Sequence, residues 1–446
     1  MELKKRRLSF FAGILLLLDF DHYYCVVRQI DQPTKQSVEK HQANTVAMLG
    51  CFDTKAEDFN YLYTRLQKQG LEIITINTGV LGSTDLFPVT FDAASVAAKG
   101  GGDIQALRAK KDRGTAIEIT AKGAGLILNQ LEAAGKIKGV IGMGGGGGTY
   151  IFLAAMQGLP FGLPKICLST LATKDLSSQI LDKDITLIPS IVDVAGLNKI
   201  SRVLINQAAG ALAGMIKAGK PEDEAIKGTI AISIFGNTTA CVDACSALLT
   251  AQGYEVMTFH AVGAGGRSME ALIRDKCFDG VLDITTTELA DDLCGGICSA
   301  GPQRLTAAAE MNIPQIVVPG CLDMVNFGGM DTVPARYKSR LLFSWAPDVT
   351  LMRTNEEENE QLGKSLATKV NQSKGKAKIL LPLKGISIVS SVGEIFHRPD
   401  IDQLLFNTIK SNVNDEVAVV ELDAHINDLA FAERAVNELL AMLAVE

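Results

Sequence analysis

The sequence predicts an α/β protein built from a duplicated domain with mostly parallel sheets, and three observations carry that reading. Short apolar runs that suit buried strands alternate with helical stretches, and no hairpin signal joins neighbouring runs, which is the pattern of βαβ units. Glycines, 42 of 446 residues, gather where strands should hand over to helices. The order of runs and loops between residues 45 and 168 then returns between residues 229 and 319.

In the first copy, Thr45-Val-Ala-Met-Leu-Gly50 reads as a buried strand and Cys51-Phe-Asp-Thr-Lys55 as the loop after it. Thr54 and Glu57 have capping-box spacing and open a helix through Gln69, which Gly70 stops. Residues 71–77 form a second strand. Residues 79–125 are less regular and read as an insertion with one or two helices; a helix over 116–134 leads into the next strand. That strand, around Val140 and Ile141, runs into five consecutive glycines, Gly144, Gly145, Gly146, Gly147 and Gly148. Thr149 and the apolar stretch 151–156, which can start a helix, come next. Strands at 164–168 and 185–189 flank the hydroxyl-rich loop Ser169-Thr170-Leu-Ala-Thr-Lys174, and a long helix ends at Ala218. The polar stretch Lys220-Pro-Glu-Asp-Glu224 separates the domains, at residues 44–220 and 221–446.

The second copy lays Thr229-Ile-Ala-Ile-Ser-Ile234 over the first strand, with Thr238 over Thr54. Gly280-Val-Leu-Asp-Ile284 answers residues 139–143, and Thr285-Thr-Thr-Glu288 stands where the five glycines stood. Downstream lie a glutamate-rich helix start at 356–360, strands at 379–383 and 417–422, and a final amphipathic helix at 431–443. His425 and Asp428 either face the second site or simply join strand to helix.

Ligands of parallel sheets sit at the carboxyl ends of the strands. Glycines there let backbone N–H groups turn inward, and the helix that follows aims its positive end at the same point, so phosphate is the natural guest. The alternative is a tight turn packed on a neighbour. The run satisfies neither a dinucleotide fingerprint, because no acid stands about 20 residues on, nor a Walker A loop, because no Lys-Ser or Lys-Thr follows. Asp53, Thr54, Lys55, Ser169 and Thr170 share that edge; Lys55 suits a phosphate, and Asp53 either holds Mg²⁺ or caps. On the second copy's edge the candidates for chemistry are His260 as an acid–base, Arg267 as a clamp for carboxylate or phosphate, and Glu270 and Glu288. Glu288, Asp291 and Asp292 suit a divalent cation or a solvated helix terminus.

Net charge is −7 with no basic tract beyond the amino terminus, which argues against nucleic acid as a partner. Nine scattered cysteines read as reduced thiols of a cytoplasmic protein. Cys241/Cys245 and Cys294/Cys298 are each spaced to share a helix face, as small core residues or as a metal pair. Residues 1–43 read as an extension outside the fold: the apolar core after Lys5-Arg-Arg7 is too short to span a bilayer and lacks a cleavage site, and a membrane tether is the other reading.

Several motifs occur in fixed order: Cys51-Phe-Asp-Thr-Lys55, residues 144–149, Ser190-Ile-Val-Asp-Val-Ala-Gly-Leu-Asn198, Phe259-His-Ala261, Gly265-Gly-Arg267 and Leu282-Asp-Ile-Thr-Thr-Thr-Glu288. Asp323-Met-Val-Asn-Phe-Gly328, Thr350-Leu-Met-Arg-Thr354 and Ile426-Asn-Asp428 continue the series. From about Thr45 to the carboxyl end the chain resembles a largely uncharacterised bacterial and fungal family. That family includes the amino-terminal region of the tomato mosaic virus resistance protein. The resemblance implies two tandem Rossmann-like domains, a homodimer, and ATP as cofactor; the reading of Asp53 adds Mg²⁺ as its companion. It carries over residues 144–149 and 53–55 as nucleotide candidates. Two departures stand out, Ser344-Trp345 where the family has His-Asn, and Ser390-Ser391 where it has an aspartate followed by Gly-x-Pro-Phe. Three functions are therefore expected to compete: a nucleotide-binding protein, an enzyme acting on a small acidic metabolite, and a protein-interaction scaffold.

Overall fold

The computed structural model describes residues 44–219 and 226–444, so the extension 1–43 and most of the interdomain stretch lie outside the described residues. The chain forms two compact units that divide between Lys220 and Pro221.

The first unit holds β1 (Thr45–Gly50), α1 (Ala56–Lys68), β2 (Glu72–Asn77), α2 (Ala93–Lys99), α3 (Ile104–Lys110), α4 (Arg113–Ala133) and β3 (Val140–Gly144). It continues with α5 (Gly146–Met156), β4 (Lys165–Ser169), α6 (Ser177–Ile180), β5 (Thr186–Pro189) and α7 (Lys199–Ala218). The five strands are all parallel in the order β2-β1-β3-β4-β5. Both faces are covered, and the alternation of side chains along β1 shows how. Ala47 and Leu49 pack with α4 and α5, whereas Val46 and Met48 pack with α1 and α7. Gly142 in β3 lets Phe152 of α5 lie flat on the strand, since a Cβ there would sit 2.6 Å from the ring.

The second unit holds β6 (Thr229–Ile234), α8 (Thr239–Ala251), β7 (Glu255–His260), α9 (Ala264–Arg274), β8 (Gly280–Thr285), α10 (Glu288–Cys294) and α11 (Ala307–Met311). Next come β9 (Gln315–Gly320), β10 (Met324–Phe327), β11 (Leu342–Ala346), β12 (Val349–Arg353) and α12 (Glu356–Val370). The unit ends with β13 (Ala377–Pro382), α13 (Pro399–Asn412), β14 (Ala418–Leu422) and α14 (Leu429–Leu443). Its parallel sheet runs β7-β6-β8-β9-β13-β14, repeating the order of the first unit and adding one strand. The duplication expected from the sequence is therefore visible as topology, and the α/β, Rossmann-like class holds for both units. What the sequence did not announce is a three-stranded antiparallel sheet, β10-β12-β11, inserted between β9 and β13.

Local details differ from expectation. The capping box of Thr54 and Glu57 does not form: α1 starts one residue later, with Lys55 at the N-cap and no side-chain cap, so the exposed Thr54 hydroxyl is out of register. Cys241 and Cys245 do share the buried face of α8, but α10 ends at Cys294 and leaves Cys298 in the following loop. Among the described residues no helix is long and apolar enough to cross a membrane.

Candidate functional site

The strand order of the first unit reverses direction between β1 and β3, the position where open parallel sheets leave a crevice. The glycine run stands at that crevice, but it is shorter as a loop than expected. Gly144 closes β3, Gly145 is the N-cap with φ −84° and ψ −160°, and α5 begins at Gly146. Residues 146–148 are thus the first helical turn. Their N–H groups have no intrahelical acceptor, while that of Thr149 already bonds the Gly145 carbonyl at 2.8 Å. Thr149 itself is buried, with its hydroxyl 2.9 Å from that carbonyl and 2.6 Å from Ser169 Oγ, which in turn accepts the Leu171 N–H. Thr149 and Ser169, expected to meet the ligand, instead brace the turn from within. Thr170 is half-buried and faces a different cleft.

In front of Gly145–Gly148 opens a cleft of about 610 Å³. The loop after β1 supplies Cys51, Asp53, Thr54 and Lys55 to its lining, and the corner between α3 and α4 supplies Arg108, Lys111 and Arg113. Asp53 is not free to roam: its Oδ2 accepts the Leu81 N–H at 2.8 Å, while Oδ1 is buried without a hydrogen-bond partner. Lys55 donates to the Val194 carbonyl, and Arg108 donates through Nε to the Val80 carbonyl at 2.6 Å. Lys111 and Arg113 are exposed and make no ion pair among the described residues. Arg113 reaches the glycine turn, since a Cβ on Gly147 would lie 3.3 Å from its Nη2. Cys51 Sγ lies 3.7 Å from Thr78 Oγ1, and burial pushes its thiol up, so it is no thiolate. The opposite wall is apolar, with Leu81, Leu107, Ile117 and Ile151. The lining holds two carboxylates, Asp53 and Asp112, of which Asp112 is spent on capping α4 through Thr115. Four cations and these two carboxylates beside an apolar wall suit an anion attached to a flat, weakly polar body.

Arg108, Lys111 and Arg113 escaped the sequence reading because they lie in the irregular insertion. The available signal was their clustering with Lys110 within six residues.

The corresponding edge of the second unit is filled. Thr238 and Thr285 hydroxyls meet at 2.7 Å, and Ser233 donates to Asp283 at 2.7 Å. Arg304, 1% exposed, lies among three buried carboxylates: Asp283 at 2.5 and 2.6 Å, Glu288 at 2.5 Å and Glu270 at 3.2 Å. Glu288 also accepts the N–H groups of Gly263 and Gly266, and Glu270 those of Leu305, Thr306 and Ala307. Glu270 and Glu288, expected as catalytic groups, are therefore spent on holding loops to the sheet. His260 and Arg267 are exposed; His260 tilts against Phe235, and Arg267 donates to the Ser299 carbonyl at 3.3 Å. The structure brings Glu270 and Glu288 together and leaves His260 and Arg267 outside the cluster. The cation set expected from Glu288, Asp291 and Asp292 is not assembled either. Asp291 accepts from Cys298 and Asn326, and Asp292 from Ser299. His425 and Asp428 join strand to helix: Asp428 accepts the His425 N–H at 2.8 Å and stands at the N-cap of α14.

A duplicated α/β chain with one cationic cleft at a sheet switch point and one filled counterpart defines the class, a two-domain Rossmann-like protein. Comparison with known sequences supplies the family. The chain belongs to the Uncharacterised protein family (UPF0261), whose N-terminal domain matches residues 44–221 and C-terminal domain residues 227–443. The UPF0261 protein of Clostridium tetani is 45% identical, over 89% of this chain and 98% of that one. The ToMV resistance protein Tm-1(GCR237) of Solanum lycopersicum is 38% identical over 74% of this chain and 44% of its own length. Among solved structures, the S. aureus MnaA–UDP co-structure aligns over 91% of this chain and 98% of that chain at 11% identity and a TM-score of 0.22.

Proposed function

We propose that the first domain binds a nucleotide, ATP being the expected one, with its phosphates at the start of α5 and its base on the apolar wall. The observation that carries this is the meeting of the Gly146–Gly148 N–H groups with Lys55, Arg108, Lys111 and Arg113 in one cleft at the β1/β3 switch point. Helix terminus and cations act on the same charge, so their attractions add. Of the two carboxylates in the lining, Asp53 is the one with an oxygen left unpartnered, and Oδ1 would supply one ligand to a Mg²⁺ ion accompanying the phosphates. The filled edge of the second domain gives no support to acid–base chemistry by Glu270 or Glu288. The eight described cysteines are all free thiols, which supports a cytoplasmic setting.

Calorimetric titration with Mg-ATP, Mg-GTP and inorganic phosphate tests the reading. Arg113→Ala should weaken nucleotide binding roughly tenfold to a hundredfold, the loss of one charge-assisted contact. Gly146→Asp, which puts a carboxylate in the cradle, should abolish it. Absence of binding by any nucleotide to the intact protein would sink the proposal.

A further inference from the structure

On the other side of the glycine turn, the ends of β4 and β5 frame a second cleft of about 450 Å³. The two clefts are neighbours. Thr170 lines the second, and its hydroxyl lies 3.7 Å from where a Cβ on Gly145 would stand, Gly145 being part of the first.

The chemistry of the second cleft is the reverse of the first. No lysine, arginine or histidine lines it, and Asp193 is its one charged residue. The hydroxyls of Ser169 and Ser190 are committed, Ser169 to Thr149 and Leu171, and Ser190 to the Val192 carbonyl at 2.6 Å. The side chains of Thr170, Thr173 and Asp193 make no hydrogen bond or ion pair among the described residues, and they are left to meet a guest. Each threonine hydroxyl both donates and accepts, whereas the carboxylate only accepts. Pro189, Ile191 and Val192 add an apolar strip. Ile191 is held out into this space, 71% exposed at φ +63°, by a three-residue turn closed by Val192 N–H to the Ser190 carbonyl at 2.6 Å. A β-branched residue in that turn is strained.

We infer that this cleft is a ligand subsite for a small polyhydroxy molecule without negative charge. Hydroxyls of the guest pair with Thr170, Thr173 and Asp193, and its C–H face lies on Ile191 and Val192. An anionic guest would meet Asp193 with no cation to offset it. The position beside Gly145 sets such a molecule next to the anion of the first cleft, although its binding does not depend on that anion.

Methyl-labelled protein tests this, because Ile191 reports the second cleft while Ile117 and Ile151 report the first. Glucose and glucosamine should shift the Ile191 methyl saturably, glucosamine the more tightly, and leave Ile117 and Ile151 in place. Gluconate should not move Ile191. Thr170→Val should weaken glucose binding roughly threefold to tenfold, as loss of a neutral hydrogen bond implies, and Asp193→Asn should erase the preference for glucosamine. If none of the three sugars moves Ile191, or if gluconate moves it as much as glucose does, the subsite is refuted. Inorganic phosphate, read at Ile117 and Ile151, tests the first cleft separately in the same sample.

Discussion

Replacing Arg304 by methionine keeps an apolar stem in the core of the second domain and removes the charge that three buried carboxylates share. Glu270 suffers least, because three backbone N–H groups still reach it. Asp283 keeps Ser233 and a long contact from Gln315 at 3.4 Å, and Glu288 keeps two backbone N–H groups. Stripping the partner from one buried ion pair costs about 3–5 kcal/mol. Two carboxylates are stranded here, but each can escape part of its cost by taking up a proton, at about 1.4 kcal/mol per pKa unit. The expected loss is about 5 kcal/mol at neutral pH, a large part of the roughly 5–15 kcal/mol that holds a domain together. Trp345 is the one tryptophan of the chain and lies in the second domain, so its fluorescence during urea unfolding reads that domain alone. The loss should shrink on acidification, since the stranded carboxyls are neutralised there. A variant midpoint equal to the wild type at pH 7 would refute the assignment of these groups as structural.

Three further outcomes are expected. Gly147→Ala should change the stability of the first domain little, a helix-propensity gain of about 1 kcal/mol being offset by a Cβ 3.2 Å from Ile117 Cδ1, yet weaken nucleotide binding, because the same Cβ lies 3.3 Å from Arg113 Nη2; unchanged affinity would remove Gly147 from the cradle. Gly142→Ala drives a Cβ to 2.6 Å from the Phe152 ring and should cost about 1–3 kcal/mol by overpacking. Far-UV dichroism should register that loss while the Trp345 transition stays put; a shift of the Trp345 transition instead would count against two separate cores. Burial pushes Asp291 up to about 7 and Asp402 up to about 6, and raises Glu288 and Asp323 as well. A carboxyl with a higher pKa folded than unfolded binds more protons in the folded state, so its contribution is full at low pH and lost as pH climbs. The Trp345 midpoint should therefore fall between about pH 4 and about pH 7; a rise across that window would contradict it.

The sequence by itself determined the strands of the two parallel sheets and the duplication, though not the antiparallel β10-β12-β11 sheet, because a strand buried on both faces must be apolar throughout and its ends need glycine or hydroxyl residues. It also placed the glycine turn and the Asp53–Lys55 loop on one edge. Tertiary structure decided the rest. Five glycines read locally as a loop, yet residues 146–148 are helical, since Phe152 seats α5 on Gly142 and packing outweighs a propensity cost of about 1 kcal/mol per glycine. Arg108, Lys111 and Arg113 line the cleft in front of the turn only because the insertion packs beside it. Glu270 and Glu288 looked like chemistry because no motif foretold that Arg304, in a loop without periodicity, would come to lie between them. Charge pairs cost solvation unless the partner is in contact, and contact across 16 and 34 residues is a property of the fold alone.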